Sequence, residues 1–142
     1  MRLETKDDLK NEDECKDLLE KSWGYKCKKL EGNNEYKYIL DFILLDENDH
    51  AVRFVEFKAR KSIRHDQFPE GILLGLFKFN KGAEYFHKNN IDFYFVAWFE
   101  DGFYFYKYNP EHDLPIKYAS RCKNQEPVVL IQPKYWEKLC QL

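Results

Sequence analysis

Three charged residues sit inside apolar runs of this chain, and their types and spacing suit the handling of a phosphate. Asp41 lies in the run Tyr38–Leu45, and Glu56 and Lys58 lie in the run Ala51–Ala59. Both runs are rich in aromatic and β-branched residues, and Asp46-Glu47-Asn48-Asp49 splits them, which is the pattern of a hairpin. A charge in mid-strand costs free energy unless it is paired, solvated or bound to a metal. Side chains alternate across a strand, so Glu56 and Lys58 share a face, about 7 Å apart along it. Antiparallel pairing folds Asp41 back beside Glu56, so two carboxylates and an ammonium meet. Hard divalent cations such as Mg²⁺ take one or two carboxylates together with water and phosphate oxygens. A lysine beside such a cation can stabilise charge on a phosphate or orient the attacking water. The chemistry expected is phosphodiester hydrolysis. The competing reading is a cross-strand salt bridge on a solvated sheet face. Val52 and Phe54, which strict alternation puts on the Glu56 face, count against it.

Asp41, followed after fourteen residues by Glu56-Phe57-Lys58, resembles the signature of the PD-(D/E)xK nuclease superfamily. Ile39-Leu40 precede Asp41, so the proline of the motif is absent. The resemblance covers roughly residues 13–108. It implies an α/β, restriction-endonuclease-like (Holliday junction resolvase-like) core: a helix, a three-stranded meander carrying the motif, a second helix and a further strand. The expected sheet is mixed, with an antiparallel meander flanked by helices. The resemblance implies that Asp41 and Glu56 bind Mg²⁺, with Mn²⁺ able to substitute. The backbone carbonyl of Phe57 is a further ligand, and Lys58 assists the attack of water. The implied activity is that of a Mg²⁺-dependent endo- or exodeoxyribonuclease acting on DNA in repair, recombination or phage and mobile-element biology. Junction resolution would require a homodimer, to place two sites on opposing strands. Two rival classes remain: a catalytically silent module of the same fold that holds nucleic acid or protein, and an interaction protein whose exposed aromatics form a protein contact.

The rest of the chain must position that trio. Its 142 residues suffice for one nuclease-like domain over 1–142, with a core at about 13–108 and a C-terminal strand and helix at about 126–141. Aromatic residues make up 18%, with 12 Phe and 10 Tyr, which favours a folded, β-containing protein over disorder. No apolar run is long enough to span a bilayer, and the N-terminus has no signal-like apolar region, so the expected location is the cytoplasm, or the host cytoplasm if the chain is phage-encoded. Cys15, Cys27, Cys122 and Cys140 form no Cys-x-x-Cys pair and read as reduced thiols; a zinc site from distant Cys and His is the alternative. Net charge is −2, yet residues 53–88 carry eight Lys or Arg against four acids. A local basic zone beside a carboxylate pair suits a phosphate backbone, although a solvated mixed-charge surface reads the same way.

In chain order, residues 1–12 read as a frayed start. A helix is expected over about 13–22, capped by Asn11 or Asp7, with Cys15, Leu18 and Leu19 at helical spacing and Gly24 closing it. Glu12 shares the stripe of Cys15 and Leu19, where some superfamily members place an acid that supports the metal. Glu14 is an equal rival, and both also read as solvated first-turn acids. Strands are expected over 25–30, 36–45 and 51–59. The polar connection after the third carries Arg60, Lys61, Arg64 and Gln67, well placed for phosphates. Pro69-Glu70 is expected to open a helix running to about Lys88, with Lys78 and Lys81 on one face and Gln67 or Lys78 directed back at the site. A strand over 91–99, an Asp101-Gly102 turn and a strand over 103–108 follow. The alternating Tyr104, Tyr106 and Tyr108 could stack bases or form the outer face of a sheet. Residues 109–125 read as an irregular flap, 128–131 as a strand, and Pro133 as the start of a C-terminal helix. Among the four histidines, only His65, near the motif, has a claim to a role.

Overall fold

The computed structural model describes residues 5–30, 40–118 and 126–139. Helix α1 (Lys6–Trp23) is followed by strands β1 (Lys26–Lys29), β2 (Phe42–Leu45), β3 (Ala51–Arg60) and β4 (Ile72–Gly75). Helix α2 (Leu76–Asn89), β5 (Asp92–Phe99), β6 (Gly102–Lys107), β7 (Ile116–Tyr118), β8 (Pro127–Ile131) and β9 (Glu137–Lys138) complete the described chain. The main sheet runs β1-β2-β3-β5-β6-β9 and the second β4-β8-β7. Among the described strands only β3 and β5 pair in parallel; every other pairing there is antiparallel. The expected mixed sheet, with an antiparallel meander and helices against it, is therefore present.

β3 is the spine. β2 pairs with one edge and β5 with the other, and a separate apolar cluster covers each face. On one face α1 contributes Cys15, Leu18 and Leu19 against Val55, Phe57 and Val96. On the other, α2 and the second sheet pack on Phe54, Phe93 and Phe95. A strand covered on both faces buries whatever it carries, which is why β3 reads as a near-continuous apolar run broken only by charges.

α1 begins earlier than its apolar periodicity implies. Thr5 caps it: Thr5 Oγ1 accepts from Asp8 N at 3.0 Å, and Asp8 Oδ2 accepts from Thr5 N at 3.1 Å. This reciprocal capping box holds a polar first turn that periodicity alone reads as frayed. Gly24 closes the helix with φ 73°, as expected.

Three further expectations are corrected. The helix predicted from Pro69 starts only at Leu76, and Ile72–Gly75 is a strand paired with β8. Gly71, at φ 118°, cannot be helical, and pairing with a partner far along the chain overrides the apolar stripe. After Pro133 there is a single 3₁₀ turn and then β9 on the edge of the main sheet, not a long helix. Tyr104, Tyr106 and Tyr108 are buried within the core and do not form an outer sheet face or a base-stacking stripe. The expected flap contains β7, paired with β8, while residues 119–125 lie outside the described part. The expected turn at 31–34 and the first half of the strand over 36–45 also lie outside it, as do Cys122 and Cys140. Cys15 and Cys27 are free, buried thiols.

Strict alternation also fails once within β3. The β2–β3 register runs Leu44↔Arg53 and then Leu45↔Ala51, leaving Val52 as an extra residue. Val52 consequently packs with the α1 cluster, on the opposite face from Phe54.

α2 lies close on β5. A Cβ at Gly82 would stand 2.2 Å from Phe93 Cδ2 and within 2.5 Å of two more atoms of that ring. Gly82→Ala should therefore destabilise the fold by about 1–3 kcal/mol through overpacking. Urea denaturation checks this, and wild-type stability in the variant would contradict so close a helix–sheet approach.

Candidate active site

Asp41 and Glu56 come together, as their spacing predicts, but by a less regular route. Phe42 pairs with Val55 in the ladder, and the Asp41 N–H also donates to the Val55 carbonyl, at 3.0 Å. Two successive residues thus address one partner, an irregularity of the kind that re-aims a side chain. The Asp41 carboxylate reaches past Val55 and accepts a bond from the Phe57 N–H at 2.8 Å. This ties Asp41 to the strand that carries Glu56 and Lys58. The Leu30 N–H donates to the Asp41 carbonyl at 2.8 Å, anchoring the same residue from the β1 side.

Glu56 is fully buried, the only charged residue among the described residues to be so. Phe95 of β5 stands beside it in register, and Phe54 precedes it on the same face. Burial is the largest influence on its carboxyl, pushing the pKa well above the ordinary carboxylate range. The Asp41 carboxylate, within hydrogen-bonding reach, pushes the same way, while Lys78 and Lys58 oppose both. Lys78 of α2 places Nζ 2.7 Å from Glu56 Oε2. That ammonium serves Oε2, while no described residue donates a hydrogen bond to Oε1. The helix register explains the contact. Lys78, Gly82 and Tyr85 lie on one stripe of α2. Tyr85 stacks on Phe54 at 4.0 Å between ring centroids, Gly82 meets Phe93, and Lys78 reaches Glu56.

Lys58 lies two residues beyond Glu56 and feels the charges of Glu56, Lys78 and Asp41. Burial is the main reason its pKa is lowered. It makes no ion pair with a described residue, so its ammonium remains available to a ligand. A buried carboxylate with one oxygen lacking a donor, facing a second carboxylate, is a donor set that a hard divalent cation takes. Asp41 and Glu56 fit such an ion, with the Phe57 carbonyl on the same strand.

The remaining expected residues are placed variously. Glu12 faces the Cys15 side of α1, where its charge and that of Asp41 both act on the thiol, and its Oε2 lies 2.6 Å from Lys29 Nζ. Lys61 donates to Asn11 Oδ1 at 2.7 Å and sits 3.7 Å over the Trp98 ring. Arg60 bonds the Ala59 carbonyl, and Gln67 Oε1 accepts from the Arg64 N–H. The Arg64 guanidinium stands near Asp66 (3.4 Å) and Asp101 (3.6 Å), and Lys81 near Glu84 (3.7 Å). Arg53, part of the same basic zone, is boxed by Trp23, Tyr25 and Tyr94 at 4.6–5.2 Å. Of the six residues expected to meet nucleic acid, Lys78 alone contacts the motif carboxylates among the described interactions.

His65 bonds Asp101 twice: ring Nδ1 to Oδ2 at 2.5 Å and N–H to Oδ1 at 3.0 Å. Its ring stacks on Tyr104. Burial would raise the Asp101 pKa, but the bonds from His65 outweigh it and bring it down to about 2. Asp66 completes a group whose ligand-capable atoms lie within 4.8 Å of one another. With Arg64 beside both acids, this group is satisfied as a hydrogen-bonded clasp between the post-β3 loop and the β5–β6 turn. A concavity of about 520 Å³, lined in part by Tyr108, His112, Lys134 and Tyr135, includes none of Asp41, Glu56 or Lys58. Sequence reasoning missed Glu126, whose carboxylate lies over the start of α2 and acts on Lys78. The β4–β8 pairing brings it there, and no local pattern marks that pairing.

A mixed sheet that presents an Asp, a Glu-x-Lys strand and a flanking helix to one point defines a restriction-endonuclease-like nuclease of the PD-(D/E)xK superfamily. The family model described as "Phage putative PDDEXK endonuclease" matches residues 1–139, and the chain belongs to that family. Neither the curated proteins nor the solved structures contain a match to it.

Because the folded state holds a proton on Glu56 to higher pH than the unfolded chain does, stability should fall as pH rises above the ordinary glutamate range near 4.3. Glu56→Gln removes that titration without changing the shape of the side chain. In EDTA the stability of Glu56→Gln relative to wild type should therefore climb between pH 5 and pH 8. Urea denaturation across that range checks it, and a constant or declining difference would contradict the assignment.

Proposed function

We propose that this nuclease is a divalent-metal-dependent hydrolase of DNA phosphodiester bonds, using Mg²⁺, with Mn²⁺ able to replace it. The observation that carries the reading is the buried Glu56 carboxylate, short of hydrogen-bond donors and facing Asp41. A charge so placed needs a strong cation partner. Asp41, Glu56 and the Phe57 carbonyl would hold the ion, and Glu12, paired with Lys29, would act as a supporting acid at a distance. When bound, the ion supplies Lewis-acid polarisation of the phosphate and eases deprotonation of water.

The chain's own groups do the rest. The Phe57 N–H fixes the Asp41 carboxylate, so that oxygen keeps its direction through the reaction. Lys58, held on β3 in register with Ala97 of β5, directs its ammonium at the attacking water and at the charge developing on the phosphate. Arg60, Arg64 and Lys81 lie on exposed or half-buried surface and are proposed to add electrostatic attraction for the DNA backbone. The whole chain is read as one nuclease-like domain acting in the cytoplasm. No described helix is long and apolar enough to cross a membrane. If the substrate is a four-way junction, two copies must act together.

Cleavage of single-stranded, double-stranded and branched DNA, with RNA as comparison, tests the reading in Mg²⁺ and in EDTA. DNA should be cut in Mg²⁺ only. Asp41→Ala should lower the rate at least about 10³-fold, and Lys58→Met by about 10²–10⁴-fold. Asp41→Ala should leave DNA binding unchanged or tighter, because a repelling charge is gone. Full activity in Asp41→Ala would overturn the assignment, and cleavage of RNA alone would overturn the substrate.

A further inference from the structure

With Glu56 ionised, as a metal would require, the cluster around it holds four charges that balance without an added ion: the carboxylates of Asp41 and Glu56, and the ammoniums of Lys58 and Lys78. A divalent ion placed there leaves two surplus positive charges in a buried setting, where like charges repel strongly. One ammonium must then leave or be matched. Lys58 sits on β3 in register with Ala97 of β5 and has no ion pair with a described residue. Lys78 is different in three ways. Its Nζ occupies Glu56 Oε2 at 2.7 Å, on the carboxylate an incoming ion needs. Its side chain is 34% exposed, so it has room to move. A second acid is also within electrostatic reach: the Glu126 charge acts on Lys78 in the same direction as that of Glu56. The Glu126 carboxylate lies over the residue that caps the helix N-terminus, with Oε1 2.7 Å from where a Cβ on Gly75 would be.

We propose that Lys78 is a tethered cation that holds Glu56 until the metal arrives and then cedes it, moving toward Glu126. Lys78 is then a positioning residue for the metal site, and Glu126 is its second seat. The arrangement answers a physical problem of the fold. A carboxylate buried this deeply is strongly destabilising when unpaired, and a nuclease must fold before it is loaded. The inference rests on the metal-dependent reading above.

The test is calorimetric titration of Mn²⁺ and thermal unfolding of the full chain at pH 8, with and without EDTA. Lys78→Met and Lys78→Gln should melt below wild type in EDTA and gain more from Mn²⁺. They should bind Mn²⁺ about tenfold or more tightly, because a repelling charge is removed. Glu126→Gln should weaken Mn²⁺ binding severalfold, and that effect should disappear in the Lys78→Gln background. Unchanged or weaker Mn²⁺ binding in the Lys78 variants overturns the inference. So does a Glu126→Gln effect that persists without Lys78, which would mean that Glu126 acts on the ion directly. Should neither Lys78 variant fold, NMR of wild type decides: the Lys78 side-chain resonances must shift on addition of Mg²⁺, and their constancy overturns the inference. Absence of Mn²⁺ binding in wild type and in every variant would instead overturn the metal-dependent reading itself.

Discussion

Everything near the motif answers one constraint: a carboxylate is buried in the middle of the most enclosed strand of the sheet. Glu56 has β5 in register on one side and Asp41, just before β2, on the other, with an apolar cluster on its own face and another behind the sheet. Its surface is closed to bulk solvent, and Lys78 is the described cation that meets it. Such a group raises its pKa, finds a counter-ion or recruits a metal. Burial pushes the Glu56 carboxyl up and Lys78 stands beside it as a counter-ion, and the third is the function we propose.

The same constraint accounts for how the basic residues are used. An excess of four positive charges over residues 53–88 reads from sequence as a surface for phosphates. Part of it is already engaged: Arg53 lies among three rings, Lys78 meets Glu56, and the exposed Lys61 covers Trp98. Lys58, which the motif places beside the carboxylates, has neither an ion pair nor a ring contact with a described residue. Charge counted along a chain therefore overstates the charge offered to a partner, because aromatic faces and buried acids take their share.

The meander and the Asp41–Glu56 meeting were legible because they depend on local signals. These are alternation, a polar turn and charges where charges are costly. What was not legible depends on distant pairing. Ile72–Gly75 carries the apolar residues of a helix, and only β8, more than fifty residues on, makes it a strand. That pairing also delivers Glu126 to Lys78. The tyrosines of β6 alternate as an outer face would, but Trp136 and the second sheet cover them. The bulge at Val52 moved one residue to the other face, a shift that no alternation rule foresees. Thr5 and Asp8, by contrast, carried a capping signal that the reading of a frayed start passed over.

The most direct measurement is calorimetric titration of Mn²⁺ into nucleic-acid-free wild type and into Asp41→Ala. Glu56 and Asp41 share one ion in this account, so wild type should bind Mn²⁺ and the variant should lose that binding. Equal binding by the two, or none by wild type, would contradict the claim that these carboxylates form a metal site.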